Sequence, residues 1–398
     1  MLERKRKLDC ANGREKADLV LKNGNVLNVF TEEVLKADVA ICGDTIVGVG
    51  EYEGKEEIDC TGKYLVPGFI DAHMHIESCM AASGELAKVL AKAGTTTIIA
   101  DPHEIVNVSG TKGMDYFLKC AAKLLVNVFF MVPSAVPATD VETNGCGEFL
   151  ASDMMKYVDN ARVLGLGETM RFMECCEGEK RMADKLELFA KKHIDGHAPG
   201  IRGKEVQAYR LAGVENDHEC STAEEVLDKL RAGLHIYVRE GSGAKNLETL
   251  IKTMLDAGVC LDRCAFCTDD KHVEEIRKEG HISTCIRKAI ALGVPVAKAY
   301  KMGSYQAAEF YGLKNYGAIG AGYRADIVFL DDLEQVRPLD VMKDGRILTE
   351  EDYAKDYSVP VPDELLHTVH VGEVTKEKIR LSCDGKTDVI QMNPHQIV

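Results

Sequence analysis

Two histidines one residue apart, His73 and His75, stand just past the apolar run Leu65–Asp71. At an extended strand end, residues two apart face the same side, so both imidazoles can reach one cation. Ionisable residues recur after later apolar runs: Asp101 and His103, Glu168, His197, His218, Glu240, then Asp269 and Asp270. His, Glu and Asp donors without thiolate suit Mn2+, Fe2+ or Zn2+. Such an ion lowers the pKa of bound water from about 15.7 towards ~7, which makes a hydrolytic nucleophile. Each residue alone has a plainer reading. A strand-end His caps or hydrogen-bonds, and Asp101-Pro102 opens a turn. The joint pattern points to a metal site.

The elements that must position these residues alternate strand and helix. Strands are expected at Leu65–Asp71, Thr95–Ala100, Val126–Val132, Arg162–Gly167, His193–His197, Val214–His218, His235–Arg239 and Arg263–Thr268. Helices are expected between many of them, including Gly84–Lys92, Gly113–Leu125, Arg181–Lys191 and Ala223–Ala232, the last opened by a Thr222/Glu225 capping box. Eight such units in about 250 residues are the size of a (β/α)8 TIM barrel, whose strand C-termini all open on one mouth. A doubly wound sheet is the alternative; polar residues at nearly every strand end favour the barrel.

Residues 1–64 carry short alternating runs at Ala17–Leu21, Val26–Val29, Asp38–Cys42 and Thr45–Val49, which predict small antiparallel strands. The final stretch returns to that pattern at Ala325–Leu330 and Asp340–Lys343, with a turn at Asp344-Gly345. The expected α/β architecture is therefore a barrel over 65–315 and a small β-sandwich domain formed from both chain ends, 1–64 and 316–398.

A net charge of −15 argues against nucleic-acid or membrane surfaces, and the basic run Arg4–Lys7 reads as a solvated tail. No stretch is long and apolar enough for a membrane span, and the N-terminus has no signal-peptide pattern, so a cytoplasmic protein is expected. The 14 cysteines then read as reduced thiols, many of them buried. Cytidine-type zinc deaminases need H-x-E with P-C-x-x-C; His75-Ile76-Glu77 and Cys264–Cys267 come near, but Arg263 replaces the proline.

The segment Pro67-Gly68-Phe69-Ile70-Asp71-Ala72-His73-Met74-His75 resembles the signature of the amidohydrolase superfamily. That resemblance implies two metals, with His73 and His75 on one, His197 and His218 on the other, and Asp269 completing the site. The bridging ligand, a carboxylated Lys in many members, would here be Glu168. A finer resemblance, to the bacterial adenine deaminase family, runs through Ala100-Asp101-Pro102-His103-Glu104, Asp195-Gly196-His197-Ala198-Pro199-Gly200, Arg239-Glu240-Gly241-Ser242 and Thr268-Asp269-Asp270.

The finer resemblance implies hydrolysis of adenine to hypoxanthine and ammonia by a metal-bound hydroxide. Asp269 would be general base, Glu77 the acid for the ring, and two Mn2+ or Fe2+ ions the cofactors, with Zn2+ the other option. Asp101, His103, Glu240, Ser242, Asp270 and His272 are the expected substrate-binding residues, and a homo-oligomer is expected. Longer members continue into a further C-terminal domain. Two alternatives stand beside this one: a cyclic amidohydrolase of the dihydroorotase or hydantoinase kind, or a catalytically impaired short relative.

Overall fold

A computed structural model describes residues 2–382 together with 385, 386, 389 and 396. Eight short parallel strands lie in two arcs. Phe69–Met74, Thr95–Ala100, Asn127–Val132, Val163–Leu166 and His193–Ile194 form one. Asn216–Asp217, His235–Arg239 and Cys264–Cys267 form the other. Backbone bonds join the arcs at both seams. Glu215 N donates to Ile194 O at 3.0 Å, and Asp269 N donates to His73 O at 3.0 Å. The result is a curled, TIM-barrel-like wall with the expected residues at its strand C-termini.

The expected strands match in number and order, with two differences. Leu65–Asp71 is split at Gly68: Tyr64–Pro67 pairs with Ile327–Leu330, whereas Phe69–Met74 opens the barrel. A Cβ at Gly68 would sit 2.2 Å from Thr96 Oγ1, so the chain changes sheets where only glycine fits. The expected strands His193–His197 and Val214–His218 are paired over only two residues each, His193–Ile194 and Asn216–Asp217. Their remaining residues leave the ladder to form the mouth.

Helices pack outside, and apolar side chains fill the wall between them. Ala223–Arg231 starts with the expected box, Glu225 N donating to Thr222 Oγ1 at 3.3 Å and Thr222 N to Glu225 Oε2 at 2.9 Å. Inside the barrel, Ile70, Ala72, Ile99, Met131 and Tyr237 pack with Tyr311, which closes the lower end.

Strands from residues 17–67 and 327–347 meet in one eight-stranded sheet, from Arg346–Ile347 across to Thr45–Gly50, and the described residues after 347 add no strand to it. It curls on itself, since Ile46 N donates to Tyr323 O at 2.8 Å near the approach to Ile327–Leu330. The strands of the first 64 residues are not all antiparallel. Ala17–Asn28 pairs antiparallel with Glu33–Cys42, but parallel with Gly54–Asp59 and with Tyr64–Pro67. The chain passes the far edge at Thr45–Gly50 and returns to the opposite edge, which reverses the expected sense. The Asp340–Lys343 to Arg346–Ile347 hairpin turns on Asp344 and Gly345 at φ +52° and +80°, the left-handed pair a two-residue turn requires.

The run Arg4–Lys7 is not a tail. Leu2–Ala11 is a helix whose Cys10 is buried against the sheet, with Arg6 bonded to Glu15 at 3.0 Å and to Asp18. Arg6 finds Asp18 on the sheet and Lys7 finds Asp44 at a strand turn, which a reading of the run alone cannot foresee. No helix among the described residues is long and apolar enough to cross a membrane.

Candidate metal centre

His75, the second of the first-strand histidines, is fixed from behind. His75 Nδ1 lies 2.8 Å from the Asp101 carbonyl, which makes it the donor and leaves Nε2 for a ligand. Asp269 follows strand eight with φ +57°, a strained region for a non-glycine residue. Its backbone is held there, because His75 N donates to Asp269 O at 3.2 Å. The carboxylate consequently lies 3.0 Å from His75 Nε2 and 3.8 Å from His73 Nε2.

Glu168 is the centre of the cluster. Its oxygens lie 3.4 Å from His75, 3.0 Å from His103, 2.6 Å from His197 and 3.4 Å from His218. Asp101 Oδ2 accepts the Glu168 backbone N–H at 2.9 Å. A Cβ on Gly167 would approach that same oxygen to 2.2 Å, so the close packing expected around Gly165-x-Gly167 is present and necessary.

Burial alone would lift these carboxyls and depress these imidazoles. Glu168 is nevertheless held well below the ordinary range, because His197, His103 and His218 outweigh its desolvation. Asp269 is likewise lowered against burial by His75, His218 and Arg239. His73 goes down through burial and His218, leaving a neutral ligand. His103 and His218 are desolvated, but Glu168 pushes them up to about 10 and about 9.

A cation fits this donor set. His73 Nε2, both ring nitrogens of His218 and Glu168 Oε1 are buried without a hydrogen-bond partner among the described residues. Buried polar atoms are ordinarily paired, so orphans converging on one spot mark a place for a ligand. His73, His75 and Asp269 offer ligand atoms within 4.8 Å of one another, as do His73, Glu168 and His218.

The amidohydrolase family model matches residues 64–348. Adenine deaminase of Desulfitobacterium hafniense (strain Y51) is 46% identical over 386 residues, 97% of this chain and 67% of that protein. The chain belongs to the adenine deaminase group of the amidohydrolase family. Adenine deaminase of Clostridium acetobutylicum is 44% identical over 387 residues, 96% of this chain and 67% of its own length. The chain thus spans about two thirds of these relatives. A solved adenine deaminase at 19% identity shares the fold, with a TM-score of 0.62 over 84% of this chain and 100% of that one.

In this amidohydrolase His73, His75, Glu168, His197, His218 and Asp269 come together as expected. Glu77 stands at their edge, with Oε1 accepting from Ile105 N at 3.0 Å and Oε2 without a partner among the described residues. Burial, then Glu104, pushes its carboxyl up to about 8. Asp101 lies beneath Glu168, raised to about 7 by burial and by that neighbour, while His103 lies beside it. Asp270 backs onto Ser242, whose N–H donates to Asp270 O at 2.7 Å. Ser242 Oγ accepts from His272 N at 3.0 Å and donates to Glu275 at 2.9 Å.

Glu240 is placed differently: its carboxylate accepts Lys288 Nζ at 2.6 Å, and no candidate ligand group among the described residues includes it. The preceding residue, Arg239, occupies the mouth instead. Its guanidinium bonds Asp269 at 2.7 Å and Glu219 Oε2 at 3.0 Å. Arg239, Glu219 and Glu104 were not among the expected site residues. A charged residue closing the apolar strand His235–Arg239 was the available signal, because alternation puts Arg239 and Glu240 on opposite faces.

Proposed function

We propose that this chain hydrolyses adenine to hypoxanthine and ammonia. The observation that carries the reading is Glu168 within reach of four imidazoles, in a chain 46% identical to an adenine deaminase. His73, His75 and Asp269 would hold one divalent cation and His197 and His218 a second, with Glu168 between them; Mn2+ or Fe2+ suits the set, and Zn2+ is also compatible. When bound, the cations would acidify water and polarise the site.

Proton traffic then falls to two carboxyls. Asp269, ionised at neutral pH, accepts a proton from the attacking water and returns it to the departing amine. Glu77, kept protonated by burial, donates to a ring nitrogen as C6 becomes tetrahedral. The remaining hydroxyl proton restores Glu77 as the C6–N bond breaks and the C6 carbonyl forms. Asp270, His272 and Ser242 face the purine edge in this reading, and Asp101 and His103 support Glu168 or touch substrate. The domain limits 1–64, 65–315 and 316–398, with the terminal sheet as a sandwich, belong to the same proposal. So does a cytoplasmic homo-oligomer, which rests on the family resemblance, without nucleic-acid or membrane partners, for which the net charge of −15 is the support.

The test is ammonia release from adenine by protein expressed with Mn2+. Turnover of adenine is expected. Turnover of dihydroorotate or hydantoin without adenine would overturn the reading, and so would two bound metals with no turnover of any of the three.

A further inference from the structure

A second cavity, of about 880 Å3, lies on the outside of the barrel. It is framed by the helices Ser83–Lys92 and Val273–Glu279, the first turns of Ile282–Ala291, and the segment 335–338. Its size is that of an ordinary small-molecule site. Its charge is opposite to that of the whole protein. Six basic side chains line it against two acidic ones, in a chain with 49 basic and 64 acidic residues.

Two of the six are paired, Lys88 with Glu85 at 2.7 Å and Lys92 with Glu350 at 3.7 Å, and Glu279 is held by the buried Lys271 at 2.8 Å. Arg277, Lys278, Arg287 and Arg337 have no carboxylate within ion-pair distance among the described residues. Arg287 is nonetheless aimed, donating to Glu279 O at 2.9 Å, Thr284 Oγ1 at 3.2 Å and Gln335 O at 3.4 Å. Its charge therefore meets only neutral acceptors. Beside it Val336 has φ +50°, a genuine outlier for a β-branched residue. The rest of the lining mixes polar Ser283 and Gln335 with apolar Val89, Ile276 and Pro338 and with Tyr353, whose ring carries Lys92 Nζ at 4.5 Å.

Guanidinium groups match phosphate oxygens geometrically, and a concave site lined by one sign concentrates the opposite ion. Apolar and aromatic walls add a place for a flat heterocycle. We propose that this cavity binds a nucleoside di- or triphosphate, separately from the metal centre. Lys271, which holds Glu279, is continuous in sequence with Asp269 and Asp270, so the cavity is one ion pair away from the catalytic segment.

ADP titrated calorimetrically into the Mn2+-loaded protein tests this, with adenosine and inorganic pyrophosphate as half-ligands and metal content measured before and after. ADP is expected to saturate one site per chain, weaken as salt rises, and be undisturbed by adenine. Arg277→Ala/Arg337→Ala should weaken ADP about tenfold or more with metal content and Tm unchanged; Lys278→Ala, also exposed, should weaken it less. Four results overturn the proposal: no saturable ADP binding at millimolar concentration, wild-type affinity in the double variant, competition by adenine, or adenosine or pyrophosphate binding as tightly as ADP. None of these bears on whether the metal centre turns over adenine.

Discussion

The barrel wall carries two sets of buried polar groups, an upper layer at the mouth and a lower layer behind and beneath it, and they differ in one respect. In the upper layer, His73, His218 and Glu168 leave ligand-type atoms without partners. In the lower layer Asp71, His281 and Asp195 are satisfied. Asp71 accepts from Thr268 Oγ1 at 2.5 Å, from Thr268 N at 3.2 Å and from His73 N at 3.1 Å. His281 spans Thr95 at 2.9 Å and Asp71 at 3.1 Å. Asp195 is held by Asn216 at 2.5 Å and by Tyr311 at 2.7 Å. The same residue types therefore do two jobs. Unmatched donors and acceptors mark where a ligand belongs, and matched ones hold the ligating side chains at fixed positions.

Removing the upper-layer bridge should give the largest effect. Glu168→Ala is expected to take metal content below wild type and activity with it; unchanged occupancy of two metals would remove Glu168 from the bridging role. Asp269→Asn keeps the shape but not the proton acceptor, so kcat should fall ~10²–10⁴-fold. A steady-state kcat near that of the unaltered protein would exclude it as the proton carrier.

The matched groups should respond through stability or alignment instead. Lys229 is buried and bonds Asp217 at 2.6 Å and Ala198 O at 2.7 Å, bracing the chain beside both His197 and His218. Lys229→Ala leaves Asp217 unpaired and should cost about 3–5 kcal/mol in denaturant unfolding. Despite burial, Lys229 holds Asp217 down at about 2. The pair's stabilisation is therefore present above the ordinary Asp pKa of about 3.9 and is lost as pH falls towards about 2. Unfolding curves with no acid-side decline in that window would contradict it. Asp71→Asn should lower metal affinity or activity ~10–100-fold through the alignment of His73 and Asp269; an effect on Tm with none on metal affinity would make Asp71 purely structural.

The smallest effect concerns protons. In the cation-free chain His218 and His103 sit at about 9 and about 10, so near neutral pH they carry protons that a ligating His218 must give up. Mn2+ loading at about pH 7.5 should acidify a weakly buffered solution containing an indicator dye, and apparent affinity should rise with pH up to about 9. Loading without proton release would contradict a ligand role for His218.

Much of the upper layer was legible because its signals are local. Ligand-type residues follow apolar runs of strand length, and His73-x-His75 needs only the two-residue period of a strand. Gly165-x-Gly167 announces close packing before Glu168. The lower layer was not legible. Asp71 reads as the end of a strand, and His281 and Tyr311 cap helices distant in sequence; nothing in their neighbours ties them to the barrel wall.

The sequence by itself determined which residues could ligate, their order along alternating strands and helices, the Thr222/Glu225 cap and the Asp344-Gly345 turn. All of these depend on contacts within a few residues. Only the tertiary structure decided which face of each strand end meets the mouth, so that Arg239 and not Glu240 stands beside Asp269. It also decided that Leu2–Ala11 folds against the sheet, and that four separate segments gather the cations of the outer cavity. Alternation fixes a period but not its phase. The phase is set by pairing with neighbouring strands, a contact between residues far apart in the chain.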